Sequence, residues 1–174
     1  DTMSGGTGND LMSGGAGGDA MEGEAGADTL EGGGGDDTLF GDAGNDILGG
    51  GAGDDTIYGG AGIDVISGGA GQDMIAGGAG ADSLYGNGGV DTFVFESGFG
   101  RDVVLDFQKG AAHDILQIEA GINGLDITEP ADLAGRISGN LSSATITLGT
   151  DTIKLAGVSK AELLANLEDW VKIV

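Results

Sequence analysis

A repeat of nine residues occupies the first 94 positions and constrains the fold more strongly than any other feature of the sequence. From Gly5 to Val94 the chain divides into ten consecutive nonapeptides, without insertions, that follow the pattern G-x-x-G-x-D-x-U-x, where U is a large apolar residue. Positions 1 and 4 are glycine, position 6 is aspartate and position 8 is apolar in every copy. A fixed period of this kind is typical of a solenoid, in which each repeat adds one unit to a stack.

The residue types in the repeat predict a coil made of two nonapeptides. Glycine takes positive φ without steric cost and lets main-chain carbonyls approach a ligand, so the G-G-x-G-x-D part forms a tight turn. The x-U-x part forms a three-residue strand whose apolar side chain points inward. Two such units close one coil, and successive coils stack at the strand spacing of about 4.8 Å, which places odd and even turns in two columns. We therefore predict an all-β fold, with a parallel β-roll over residues 1–94.

The charge of the repeat array indicates a cation as its partner. Residues 1–94 contain 17 acidic residues and no Lys or Arg. Uncompensated carboxylates repel one another and also repel nucleic acid. Each gap between stacked turns would be lined by carbonyl and carboxylate oxygens, which Ca²⁺ binds readily and the smaller Mg²⁺ fits less well. Ten turns leave eight gaps along the two columns, so about eight Ca²⁺ ions would nearly balance the charge of the array.

The same array is too poor in apolar residues to fold by burial alone. It provides one inward apolar side chain per nine residues, and it is rich in glycine, which loses the most conformational entropy on folding. Charge repulsion adds to that cost. We expect residues 1–94 to be disordered without Ca²⁺ and to fold when they bind it.

The repeat resembles that of the RTX (repeats-in-toxin) proteins, whose haemolysin-type calcium-binding repeats form a parallel β-roll. Residues 91–95 and 101–110 are similar to the segment that closes such rolls in serralysin-type proteases and related exoproteins. The resemblance implies that the position-6 aspartates bind Ca²⁺ through their side chains and that the glycine turns contribute main-chain carbonyls. The expected aspartate ligands are Asp10, Asp19, Asp28, Asp37, Asp46, Asp55, Asp64, Asp73, Asp82 and Asp91, with Asp1 and Asp102 in incomplete repeats. The expected glycine ligands are Gly6, Gly8, Gly15, Gly17, Gly26, Gly33, Gly35, Gly44, Gly51, Gly53, Gly60, Gly62, Gly69, Gly71, Gly78, Gly80 and Gly89.

The resemblance also implies export by a type I secretion apparatus, which reads an uncleaved C-terminal signal. The segment Glu168–Val174 is similar to such a signal, with acidic residues followed by apolar ones, although Lys172 interrupts the apolar run. Asp1 lies at position 6 of a repeat whose start is missing, so we expect a parent protein with an upstream domain. The expected location is therefore extracellular or at the cell surface, where Ca²⁺ is abundant enough to fold the array.

Residues 95–174 follow a different pattern and predict a small β-rich cap on the roll. Alternating apolar residues indicate strands over 103–107, 114–118, 144–148 and 151–155. Pro130 favours a short helix near residues 129–136. Ser159 and Glu162 form a capping box that opens a terminal helix extending to about Trp170.

Several classes of function have no support in the sequence. The chain has no Cys, no apolar run of the roughly 20 residues that a membrane helix needs, and no H-E-x-x-H motif. The single histidine, His113, is interpreted as a loop residue rather than a catalytic base. We therefore expect no enzyme in this chain, and any catalytic domain would lie upstream of Asp1.

Three aromatic residues at position 9 leave two alternative functions open. Phe40, Tyr58 and Tyr85 should point outward, and Phe40 and Tyr58 are 18 residues apart, so they should be neighbours on one face. They could pack against another domain or form a stacking platform for sugars, as expected of a carbohydrate-binding accessory module resembling those of mannuronan epimerases. The lack of Lys and Arg in the array counts against a polyanionic polysaccharide. The other alternative is a calcium-held surface-layer or adhesin segment, which would self-associate.

The binding of Ca²⁺ should be weakest where repeats three and five stack. Glu24 and Asp42 replace glycine at position 2 of these repeats, and positive φ costs more without glycine. Asn87 is the third such departure. In crystals grown at graded Ca²⁺ concentrations, ion density should disappear first from the gap between these two repeats. Uniform loss along both columns would refute this prediction.

Overall fold

The computed structural model describes all residues, 1–174, and consists of two facing β-sheets joined by tight turns. The first sheet has eight strands and the second has nine, and consecutive strands of the array alternate between the two sheets. The strands of the array are Thr2–Thr7 (β1), Leu11–Ala16 (β2), Ala20–Ala25 (β3), Thr29–Gly34 (β4), Thr38–Ala43 (β5), Ile47–Ala52 (β6), Thr56–Gly62 (β7), Val65–Ala70 (β8), Met74–Gly80 (β9), Ser83–Gly88 (β10) and Thr92–Phe95 (β11). The predicted parallel β-roll is confirmed.

Neighbouring strands in each sheet of the array are parallel and are shifted by 18 residues. Met3 pairs with Met21 and Met12 pairs with Leu30, so equivalent positions of the repeat stand side by side. Most strands are six residues long rather than the three predicted. The main-chain ladder continues through the first residues of the glycine turn, as in the pairing of Thr7 with Ala25. The sequence pattern indicated only the part of each strand that carries the inward side chain.

The position-8 residues form the inner row of the roll. From Met21 onwards they are all buried, and Ile57, Ile66 and Ile75 have no exposed surface. Met12 and Met3, at the first coil, are only partly buried. Because each sheet presents one such residue per strand, the interior is a narrow apolar layer between two sheets rather than a wide core.

The residues after the array extend both sheets and then close them. The later strands are Arg101–Val104 (β12), Ile115–Ile118 (β13), Ile137–Gly139 (β14), Ser143–Leu148 (β15), Asp151–Ala156 (β16) and Val171–Ile173 (β17). Strands β12, β13, β16 and β17 continue the parallel stacking, whereas β14, β15 and β16 pair antiparallel. The buried apolar residues of array and cap form one continuous cluster.

Helices occur only in the cap. Short 3₁₀ helices cover Ile122–Gly124 and Pro130–Arg136, and the α-helices are Lys160–Ala165 (α1) and Leu167–Trp170 (α2). The predicted capping box of Ser159 and Glu162 is present. The predicted helical segment does extend to Trp170, but it is two helices rather than one, because Asn166 leaves helical geometry at φ −125° and donates its side-chain amide to the carbonyl of Glu162. None of these helices has the length and hydrophobicity needed to cross a membrane.

An aromatic cluster joins the cap to the last coil of the roll. The ring of Phe107 lies 6.3 Å from Phe93, the last position-8 residue, and 5.5 Å from Trp170. Trp170 leads directly into β17, which pairs with β13. The final segment of the chain is therefore part of the folded structure.

Truncation of an inward residue should destabilise the roll far more than truncation of an outward one in the same coil. Ile57→Ala removes a fully buried side chain and should lower the free energy of unfolding by about 2–5 kcal/mol in saturating Ca²⁺. Ile63→Ala, at a side chain 58% exposed, should change it by less than about 0.5 kcal/mol. Urea unfolding followed by circular dichroism measures both. Equal effects would show that the inner row is not the stabilising core.

Candidate functional site

The position-6 aspartates form two ladders of hydrogen bonds that run along the columns of turns. One carboxylate oxygen, Oδ1, of each aspartate accepts the main-chain N–H of the aspartate 18 residues earlier, as in the 2.8 Å bond from Asp10 to Asp28. Eight bonds have this spacing, and two more, which span 20 and 23 residues, end the columns at Asp102 and Asp114; all ten are 2.7–3.1 Å long. The ladders bring together the predicted aspartates. At the start, the terminal amine of Asp1 contacts Asp19.

The second carboxylate oxygen of these aspartates is buried without any hydrogen-bond partner. This holds for eleven residues, and almost all of them have at most a few per cent of their surface exposed. Eleven unpaired carboxylate oxygens of one type are not an isolated defect, because buried polar groups normally have partners. The residues are Asp10, Asp19, Asp28, Asp37, Asp46, Asp55, Asp64, Asp73, Asp82, Asp91 and Asp102.

The glycines place main-chain oxygens in the same gaps. A methyl group added to Gly5 would lie 2.8 Å from Oδ2 of Asp10 and 3.0 Å from the carbonyl oxygen of Gly23 in the next turn of the column. At position 4, a methyl on Gly26 would collide with the carbonyl oxygen of Gly8. Gly26 also has φ 146°, so both the space and the backbone require glycine there. Each gap thus receives oxygens from both of the turns that border it.

No positively charged side chain balances the carboxylates of the array. The structure has two ion pairs, one from the terminal amine to Asp19 and one between Lys109 and Glu162 in the cap. No three acidic, His or Cys side chains come close enough to hold a metal ion by themselves. An ion in these gaps must therefore take most of its ligands from main-chain carbonyls, and such an all-oxygen set is the one that Ca²⁺ prefers. The donors present fit Ca²⁺.

Burial raises the pKa of the aspartates in the middle and end of the columns. Desolvation raises the pKa of Asp64 and Asp73 to about 6, and neighbouring carboxylates add to the shift against the opposing effect of the main-chain N–H. The pKa of Asp102 rises to about 8 for the same reasons, with Asp82 and Asp151 as the nearby charges. The metal-free gaps therefore favour protonated carboxyl groups.

A second ladder, which the sequence analysis missed, runs in the opposite direction at position 5. The side-chain oxygen of Asp36 accepts the N–H of Asp54, and that of Asp54 accepts the N–H of Gln72. Asn9 and Asn45 do the same in the other column. The Asn and Asp residues that recur at position 5 are a signal for this ladder, but position 5 varies too much to be part of the repeat pattern.

The two columns end differently. In one, Gly80 forms a bridge with Gly100, and Asp102 keeps an unpaired oxygen like the aspartates before it. In the other, both oxygens of Asp114 accept main-chain N–H groups, from Asp91 at 3.0 Å and from Gln108 at 2.7 Å.

Other side chains complete the closure of the second column. Asp106 accepts the N–H groups of Gly86 and Asn87, and the amide of Gln108 donates to the carbonyl of Asn87. Side chains of the protein therefore bond to the main-chain N–H and carbonyl groups of the last turn. The resemblance of residues 101–110 to a closing segment predicted closure in this region, but it did not single out Asp106 and Gln108, which lie outside the repeat.

The three substituted position-2 residues keep the glycine-like backbone. Glu24, Asp42 and Asn87 have φ of 70°, 67° and 64°, whereas Gly33 at an equivalent position has 113°. The ladder between β3 and β5 pairs Glu22 with Phe40 and then resumes one residue beyond the substituted position, without a pair between Glu24 and Asp42. The gap between these two turns therefore differs from the others in its main chain. Its affinity for an ion stays a prediction.

The remaining residues singled out in the sequence lie away from the aspartate columns. Phe40 and Tyr58 stack on each other on the outer face of the first sheet, with ring centroids 5.1 Å apart, while Tyr85 lies on the second sheet. His113 contacts the carbonyl oxygens of Gly110 and Asp169 in the cap. These contacts fix the loop before β13 against α2.

The fold and the aspartate columns together define a parallel β-roll whose turns present unpaired carboxylates for cations. A family profile described as the RTX calcium-binding nonapeptide repeat (four copies) matches overlapping segments, 1–30, 13–48, 22–57, 49–83 and 67–104. The chain belongs to this family of calcium-binding repeats. No match is found among curated proteins.

Among solved structures, the extracellular lipase LipA from Serratia marcescens has a similar fold. It matches 96% of this chain at 20% identity with a TM-score of 0.53, and the chain spans 38% of its length. A subunit of the mannuronan C5-epimerase from Azotobacter vinelandii aligns over 95% of the chain and 78% of its own, at 21% identity and a TM-score of 0.23. The lipase comparison concerns the fold only, and the second score is too low to support a conclusion.

The metal-free roll should become less stable as the pH rises. The pKa values of Asp64, Asp73 and Asp102 are raised in the folded roll, so folding favours the protonated form of each carboxyl group. Their contribution to the stability of the folded state is therefore complete below about pH 4. It is lost as the pH rises through about 6 for Asp64 and Asp73 and through about 8 for Asp102. In chelated buffer, the β-sheet circular dichroism signal should therefore grow as the pH is lowered from 8 to about 4. A signal that instead grows with rising pH would refute this prediction.

Proposed function

We propose that this chain is a calcium-binding module that folds when Ca²⁺ occupies the gaps between its stacked turns. The eleven buried carboxylate oxygens without partners carry this proposal. In each gap the position-6 aspartate would supply a charged oxygen, and the carbonyls of the glycine turns would supply neutral ones, including those at positions 2 and 4. Bound Ca²⁺ would neutralise the carboxylates and hold two successive coils together.

The number of ions follows from the open gaps. Eight gaps lie between successive turns of the ten complete repeats, as expected from the sequence. The turn that ends at Asp102 supports a ninth site, because Asp82 donates its N–H to Asp102 at 3.1 Å and both residues keep an unpaired oxygen. Beyond Asp91, the side chains of Asp106, Gln108 and Asp114 bond to the last turn, so we expect no separate ion there even though Oδ2 of Asp91 has no partner.

The proposed role of Ca²⁺-dependent folding is to keep the array unfolded during export and to fold it only outside the cell. In a compartment where free Ca²⁺ is scarce, the array would stay unfolded and could pass through a type I secretion apparatus. Outside the cell, Ca²⁺ would fold residues 1–94 as the roll and 95–174 as its cap. Extracellular calcium modules bind with Kd values of about 10⁻⁴–10⁻³ M, which suits a switch of this kind.

The module would serve a larger protein rather than act alone. The lipase with a similar fold is an extracellular protein, and the present chain corresponds to only 38% of its length. By this analogy an upstream domain would carry the activity, and the calcium-loaded roll would stabilise it. A surface-layer or adhesin role would instead require Ca²⁺-dependent self-association, which analytical ultracentrifugation with and without Ca²⁺ detects.

The direct test is circular dichroism during a Ca²⁺ titration that starts from chelated protein at neutral pH. A cooperative transition from coil to β-sheet is expected with Ca²⁺, and a much weaker one with Mg²⁺ at equal concentration. Isothermal titration calorimetry then counts the ions, with about nine expected per chain. A β-sheet spectrum already complete in chelator and insensitive to Ca²⁺ would overturn the proposal.

Two variants that each remove one negative charge distinguish the effect of a position-6 aspartate from the effect of an exposed aspartate. Asp64 and Asp54 each accept a main-chain N–H through Oδ1, but only Asp64 is buried with an unpaired second oxygen. Asp64→Asn should raise the Ca²⁺ concentration needed for folding about tenfold, because one charged ligand is lost. Asp54→Asn should change it less than about twofold. Equal shifts would mean that overall charge, rather than position 6, controls folding.

A further inference from the structure

An open groove lies on the outer face of the first sheet, next to the stacked aromatic pair. Phe40 on β5 and Tyr58 on β7 are paired across the strands, and their rings are parallel to within 3°. The next residue in this row is Ala76 on β9, which pairs with Tyr58. Because alanine leaves empty the place where a third ring would stand, one face of Tyr58 is open to a groove of about 270 Å³.

The far side of the groove is formed by one short segment of the chain. It consists of Val94 at the end of β11 and the segment 96–99 that follows it. Within that segment Phe99 is buried and packs edge-on against Phe95, with centroids 5.1 Å apart. The groove is therefore bordered by an aromatic ring on one side and by Val94 and the exposed residues 96–98 on the other.

Hydrogen bonds from the cap hold the wall in place. The N–H and hydroxyl of Ser97 both donate to Glu119 at 2.9 Å, and the N–H of Asn123 donates to the Ser97 hydroxyl at 3.0 Å. The N–H of Gly98 donates to the side chain of Asn123. A groove whose walls are already fixed needs little reorganisation to receive a ligand.

The width of the groove suits one flat group. Strands β7 and β11 are separated by β9 alone, so Tyr58 and Val94 stand two strand spacings apart, about 9–10 Å. A planar group above Ala76 would lie one spacing from Tyr58, as Phe40 does on the other side at 5.1 Å. That distance is also within the roughly 6 Å at which a cation is attracted to an aromatic face.

The charge of the groove selects a cation. Glu96 is the one charged residue in its lining, is exposed, and takes part in neither of the two ion pairs of the structure. Residues 1–94 contain no Lys or Arg, so no basic side chain of the array competes for this carboxylate. Among the protein side chains that stay cationic at neutral pH only the arginine guanidinium is flat, and it both stacks on aromatic rings and binds carboxylates through paired hydrogen bonds.

We propose that this groove binds an arginine side chain presented by an exposed segment of another protein or domain. The guanidinium would lie above Ala76 against the free face of Tyr58 and donate to the carboxylate of Glu96. A lysine ammonium is compact rather than flat and would lose the stacking contact. A neutral sugar ring would stack on Tyr58 but would form no ion pair with Glu96.

The test uses the Ca²⁺-saturated chain and the capped peptide acetyl-Gly-Arg-Gly-amide, followed by NMR chemical shifts. The peptide should shift the signals of Tyr58, residues 76–79 and residues 94–99, and leave those of the second sheet unchanged. Peptides with lysine or citrulline in place of arginine should bind at least several-fold more weakly, because each lacks either the flat shape or the charge.

Paired variants of the groove identify the site. Ala76→Phe should abolish binding by extending the aromatic row into the groove, whereas Ala76→Ser should retain it. Glu96→Gln should weaken binding about tenfold or more. Glu22→Gln is its control, because Glu22 is an exposed carboxylate on the same sheet at the opposite side of the aromatic pair. Circular dichroism with Ca²⁺ confirms that each variant folds.

Three results would overturn the proposal. Arginine binding that survives both Ala76→Phe and Glu96→Gln would show non-specific attraction to an acidic protein. Shifts at the same residues with the neutral oligosaccharide maltohexaose, but not with the arginine peptide, would assign the groove to sugars. A folded, Ca²⁺-saturated chain that responds to none of these probes at millimolar concentrations would show that the groove is not a binding site.

Discussion

One carboxylate oxygen in every turn of the roll is buried without a hydrogen-bond donor, and the rest of the structure depends on how that oxygen is neutralised. An isolated buried charge is among the most unfavourable features that a fold can contain, and here it recurs eleven times. The apolar layer between the sheets is one side chain deep on each side, so it cannot offset such a cost. A divalent cation with main-chain oxygens around it resolves the conflict and converts repulsion between coils into attraction.

The two oxygens of each aspartate have different partners, and this links successive coils. The Oδ1 atom of each aspartate accepts an N–H from the preceding coil, as Asp64 does from Asp46. The Oδ2 atom faces the gap beside the turn that carries the aspartate. An ion held by one aspartate therefore also positions the main chain of a neighbouring turn. In a solenoid, where each unit contacts only its neighbours, such coupling makes folding propagate along the stack.

Much of this structure could be predicted because the repeat fixes both geometry and chemistry. The apolar residue at position 8 of each repeat predicted the inner row of the roll, and the aspartate at position 6 predicted the two columns of carboxylates. The residues that the repeat pattern did not identify lie outside the repeat. Asp106 and Gln108 close one column through contacts that cannot be predicted from a periodic spacing. The break of the terminal helix at Asn166 depends on a local hydrogen bond to Glu162, which helix propensity does not describe. The stacking of Phe40 on Tyr58 follows from the period, but the open place at Ala76 becomes visible only in three dimensions.

The aromatic closure of the last coil has a consequence for the alignment of the whole stack. A slip of one coil would move every turn onto an equivalent turn 18 residues away, and the aspartate ladders and the inner row would look the same after it. The repeat by itself thus does not distinguish one alignment from another. Phe107 packs between Phe93 and Trp170, and Asp114 accepts the N–H of Asp91, in one place only. The cap therefore determines the register of the roll, and coils that assemble outward from it have a single starting point.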